Sequence, residues 1–234
     1  MNGTRILAGV LVLVALLGFT PGCQDFLDGG GPGDGKEETQ QDPEPEPDPV
    51  PVALDLTWCV KDDASPSQMT AFAQRIQESS DALWNATHGQ VYLSSVTLTD
   101  LSEDGDVILD NLDEMSAEGA FAYTLQYAGG AWEIHMGGAY PMQAWTHEMG
   151  HAVVLQDWTL EEEYDLPGAP CPVCTMDAYI VGSGEGKVVY CDAGNCTTTR
   201  NGCWETVILV THPDWTYPRT PGPAPETAVT VIDR

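Results

Sequence analysis

The residues best suited to chemistry form one run, Trp145-Thr146-His147-Glu148-Met149-Gly150-His151, which has the H-E-x-x-H pattern. On a helix, histidines four positions apart share a face one turn apart, so the imidazoles of His147 and His151 can reach one Zn²⁺. Glu148 follows the first of them and can lean toward water at the metal's open position as general base. That is the chemistry of hydrolysis. Catalytic zinc takes a third protein ligand, and Asp157, ten residues after His147, is the preferred one. On an unbroken helix it would lie about 15 Å along the axis from His147. The chain must therefore bend back, and no Gly marks the bend. Glu162 and Glu161 follow closely and remain open as alternatives.

Cysteine is the other reactive type, with seven in the chain. Cys23 comes after Arg5, 14 uncharged residues at 6–19, and Thr20-Pro21-Gly22. The apolar stretch falls short of the roughly 18–20 residues that cross a bilayer, and it reads as a signal-peptide core. Its end resembles a bacterial lipoprotein signal, in which the Cys is lipidated and becomes the mature N-terminus. The other six, Cys59, Cys171, Cys174, Cys191, Cys196 and Cys203, are an even number suited to disulfides in an oxidising compartment, with the pairing open. Cys171-Pro172-Val173-Cys174 also suggests a structural zinc site or a redox dithiol. Disulfides are preferred, because the later cysteines are loosely spaced and the residues after Cys174 look extended rather than helical.

Several elements must position these groups. Residues 53–60 alternate as a strand, and Ser65-Pro66-Ser67-Gln68 has the form of a capping box with Pro at the first helical position. Met69, Phe72, Ala73, Ile76 and Leu83 then fall on one helical face, with Gly89 as the stop. Residues 90–99 form a strand whose alternation slips at Ser94-Ser95, which predicts a bulge. Residues 107–109 and 132–136 are further short strands, the latter a candidate edge strand along which a substrate could lie antiparallel. Gly137-Gly138 turns the chain into the H-E-x-x-H helix near Pro141, and residues 227–232 form a last strand after a Pro-rich linker at 218–225. The fold class expected is α+β with a mixed sheet. His135 reads as a residue beside the cleft, a substrate contact being the second reading, and Glu103-Asp104-Gly105-Asp106 as a charged turn rather than a calcium loop.

The formal net charge is −28, of which −8 falls at 23–50 and −21 at 51–234. A surface this anionic repels phosphate backbones, so no nucleic-acid partner is expected. Three regions follow: a lipoprotein-type signal peptide at 1–22, a disordered acidic Pro/Gly-rich tether at 23–51, and one domain at 52–234.

The helix motif, with His147, Glu148, His151 and Asp157 in register, resembles the metzincin-type zinc metallopeptidases, with an Asp last ligand as in the snapalysin type. Val154 stands where that family has Gly, and Cys174-Thr175-Met176-Asp177 suits its Met-turn, with Met176 as the hydrophobic floor. Glu162-Glu163-Tyr164, Tyr190-Cys191-Asp192 and Cys203-Trp204-Glu205 further resemble the peptidase domain of the calcium-activated chloride channel regulators and its bacterial relatives. There an Asp-Glu-Tyr after the helix supplies the third ligand, which makes Glu162 its counterpart. The resemblance implies a zincin-like domain with a disulfide-stapled C-terminal part. It also implies a zinc endopeptidase acting on protein or peptide substrates, which the N-terminal signal would leave exported and lipid-anchored to a bacterial membrane, or secreted. The alternative is a zincin-like surface module that binds a partner and no longer cleaves.

Overall fold

Leu54, Leu56, Trp58 and Val60 alternate with Asp55, Thr57 and Cys59, so the first strand, β1 (Val52–Val60), has two distinct faces. The computed structural model describes residues 50–156, 171, 173–176, 188–196 and 202–234. The signal peptide with Cys23, the tether up to residue 49, and Asp157, Glu161 and Glu162 lie outside the described residues.

Helix α1 (Pro66–Ala86) begins as its sequence predicts. Ser65 Oγ accepts from the Gln68 N–H while the Gln68 side chain accepts from the Ser65 N–H, with Pro66 at the first turn. Met69, Phe72, Ile76 and Leu83 are buried on one face. Strand β2 (Val91–Thr99) then pairs parallel with β1. The expected bulge is present: Leu54 pairs with Leu93 but Asp55 with Ser95, so Ser94 is the extra residue. Both Ser94 and Ser95 hydroxyls donate to Asp55 Oδ1.

The remaining elements are β3 (Val107–Leu109), β4 (Tyr123–Gln126), β5 (Trp132–Met136), α2 (Met142–Met149), a π-helical turn at Gly150–Val154, a second at Trp204–Ile208, α3 (Leu209–Thr211) and β6 (Ala228–Ile232). One six-stranded sheet runs β4-β5-β3-β1-β2-β6. All neighbours are parallel except β4, which is antiparallel to β5. The architecture is α+β with a mixed sheet. The expected edge strand, β5, is interior. Among the described residues the outer strand on that side is β4, joined to β5 by a turn through Gly129 and Gly130 at φ 99° and 85°.

The core lies between one sheet face and the helices. Trp58 of β1 packs against Tyr140 and Trp145, with ring centroids 6.0 and 5.1 Å apart, and Trp145 Nε1 donates to Ser79 O of α1 at 2.9 Å. Tyr140 and Ser79 share a buried hydroxyl hydrogen bond of 2.8 Å. Helix α2 is thereby fixed against both the sheet and α1.

Candidate metal centre

His147 sits in the last turn of α2, and His151 in the π-helical turn that continues it. There the Leu155 N–H donates to Gly150 O, five residues back, at 2.8 Å, so the helix widens where the motif sits. The two imidazoles converge, with His147 Nε2 and His151 Nε2 3.0 Å apart. Two nitrogens on one tetrahedral zinc stand about 3.3 Å apart. Both rings are buried, at 7% and 2% exposure. A backbone carbonyl can only accept, so the 3.0 Å contact from His147 Nδ1 to Thr175 O puts the proton on Nδ1 and the lone pair on Nε2.

Glu148 is 4% exposed. Thr124 of β4 donates its hydroxyl to Glu148 Oε2 at 2.7 Å, so the outer strand directly holds this carboxylate. Beneath the helix, Met176 is buried, and a Cβ at Gly150 would come within 2.4 Å of its Sδ and 3.3 Å of the Tyr190 ring. A side chain at position 150 would therefore force Met176, the residue expected to form a hydrophobic floor, to shift. Tyr190 donates its hydroxyl to Thr146 O at 2.7 Å, and Thr175 Oγ1 donates to Gln143 O at 3.2 Å.

At the end of the helix Gln156 has φ 51°, a left-handed residue two positions after Val154 where no Gly stands, while Asp157 itself lies outside the described residues. The last carbonyls are capped from the end of α3 and the residue after it: Thr211 Oγ1 donates to Leu155 O at 3.2 Å, and His212 Nε2 to Val154 O at 2.9 Å. Burial holds the His212 ring below its ordinary pKa, in keeping with a neutral donor.

His135 does not face this site. On β5 it pairs with Tyr123 of β4, whereas Thr124, which reaches Glu148, pairs with Ile134. Alternation therefore points His135 to the opposite sheet face, which removes the substrate-contact reading. There it bonds Asp110 Oδ1 at 3.1 Å and Glu133 Oε1 at 2.7 Å, and stacks on Tyr123. Burial pushes the Asp110 carboxyl up, but the Glu118 N–H, His135 and Lys61 together hold it below the usual carboxylate value.

The six cysteines divide five to one. Cys59 lies on the β1 face away from Trp58 and donates to Ser102 Oγ at 3.5 Å, so it stands apart from the rest. The sulfurs of Cys174, Cys191 and Cys203 gather within 4.8 Å of one another, as do those of Cys171, Cys191 and Cys196. Either group could hold a metal ion. Cys203 Sγ is 3.4 Å from Cys174 Sγ and 3.6 Å from Cys191 Sγ. Hydrogen bonds from Cys191 and Cys203 push the Cys174 thiol down to about 5.

Thr124 is not singled out in the sequence, and Thr175 and Tyr190 stand there only inside longer motifs with no contact to the helix assigned to them. For Thr124 a signal existed: Gly129-Gly130 between two short polar-apolar runs is a hairpin pattern that would have revealed β4. No family model, curated protein or solved structure matches the chain.

Proposed function

We propose that the chain is a zinc-dependent metalloendopeptidase of zincin-like architecture, exported and lipid-anchored through Cys23. One observation carries the reading: His147 Nε2 and His151 Nε2 converge to 3.0 Å while the intervening Glu148 is buried and held by an outer strand. His147 and His151 would hold the zinc, with Asp157 as third ligand, or Glu162 or Glu161 in its place.

When bound, zinc supplies a Lewis acid for the scissile carbonyl and makes water ionisable near neutral pH. The chain's own groups do the rest. Thr175 O fixes the tautomer and angle of His147. Glu148 takes a proton from the attacking water and gives it to the leaving amine, its Oε2 steadied by the Thr124 hydroxyl. Among the described residues β4 is the outer strand, and its outer backbone N–H and C=O groups could pair with an extended peptide, a role the sequence reading gives to β5.

The test is cleavage of a denatured protein pool by the zinc-loaded full chain, beside Glu148→Gln. The variant should bind zinc equally and lose about 10²–10⁴-fold in rate. Undiminished cleavage by Glu148→Gln would overturn the mechanism. Absence of cleavage by the unmutated chain at every zinc loading would instead select the binding module.

A further inference from the structure

We infer that Cys174, Cys191 and Cys203 form a second metal site, a thiolate centre for a soft divalent cation such as zinc, separate from His147 and His151. The inference rests on the cysteines alone and does not need the peptidase reading.

Spacing comes first. Sulfurs bound to one tetrahedral zinc at about 2.3 Å stand about 3.8 Å apart, whereas an S–S bond is about 2.05 Å. The contacts at 3.4 and 3.6 Å lie near the shared-ion value, and all three sulfurs lie within 4.8 Å of one another. Burial comes second: Cys174, Cys191 and Cys203 are 1%, 0% and 4% exposed, in the closed setting typical of structural sites. The third observation is connectivity. The ligands come from three segments whose one described regular element next to a ligand is a single π-helical turn with the short α3 behind it. An ion here would add a further link between segments that backbone hydrogen bonds already join, Thr175 N–H to Val189 O at 2.7 Å and Trp204 N–H to Cys191 O at 3.1 Å. Donor chemistry fits as well, since thiolates select soft ions. Loading is an exchange of protons for metal: the S–H protons leave as Zn²⁺ enters, and no oxidant is required.

The site would also reach the helix motif. Cys174 precedes Thr175, whose carbonyl accepts from His147, and Cys191 follows Tyr190, whose hydroxyl donates to Thr146 O. Filling the centre would fix both contacts at their base.

Cd²⁺ is the probe, because thiolate ligation gives an ultraviolet charge-transfer band that imidazole and carboxylate ligands do not. The full chain, prepared anaerobically and stripped of metal, should develop that band on Cd²⁺ addition. The His147→Ala, His151→Ala double variant should keep it, which separates this centre from the proposed catalytic one. Cys203→Ser should lose most of it. Because Cys203→Ser could unfold, alkylation of the unmutated chain gives a second readout: Zn²⁺ should protect Cys174, Cys191 and Cys203 from iodoacetamide in peptide mapping. No band, no protection, or recovery of these three cysteines in disulfides only would overturn the proposal.

Discussion

A hydroxyl from a neighbouring strand holds the buried Glu148 carboxylate, and that contact can be removed without touching any proposed ligand. Thr124→Val keeps the shape of the side chain and deletes the 2.7 Å hydrogen bond. Turnover should fall about 10–100-fold with little change in KM, measured on a fluorogenic peptide at saturating zinc. On the far sheet face, Asp110 is 1% exposed at its side chain and paired with Lys61 at 3.3 Å. Its carboxyl is held below the unfolded value near 3.9, so its contribution is present above that pH and fades as pH falls through the lower folded value. Asp110→Asn should therefore cost about 1–2 kcal/mol at pH 7 in urea unfolding, with the difference shrinking at acid pH. A pH-independent deficit would refute the assignment. The motif itself was legible because its members are four positions apart. Its supports were not, since Thr124, Thr175 and Tyr190 meet the motif across 24, 28 and 44 residues.

Elements with local rules were readable in the same way. The Ser65 box and the slip at Ser94-Ser95 each express themselves within a few residues, and both are where they were expected. Strand β4 has four residues, too few for alternation to register, and so β5 was taken for the edge. The π-helical turn had no signature, because widening a helix depends on what packs against it. Gly150 shows that packing. Gly150→Ala would drive a Cβ against Met176 Sδ, the flexible end of a side chain, so a cost of about 1–3 kcal/mol is expected in thermal or urea unfolding. Adding Met176→Ala should relieve much of that cost, giving a cycle in which the double variant is more stable than additivity predicts. Additive losses would mean that Met176 is not what demands a glycine there.

Across the whole molecule, a formal charge of −28 was plain from composition, but how the chain closes on itself was not. The last strand returns to β2: the Thr227 hydroxyl donates to Leu93 O across 134 residues, and the Thr227 N–H donates to Gln77 of α1. β6 is itself largely exposed, while β2 beneath it carries Val91, Leu93, Val96 and Leu98 into the core. Its burial therefore contributes little, and its position matters more. Without β6, the backbone groups along one side of β2 from Ser95 to Thr99 would lose their partner and face solvent, ready to template pairing with another copy. A chain ending at residue 226 should keep its helix motif and any capacity to bind zinc there, yet associate with itself at concentrations where the full chain stays monodisperse by light scattering. In this reading the final strand is a guard for solubility, and the like-charge repulsion of so acidic a surface would work with it to keep copies apart.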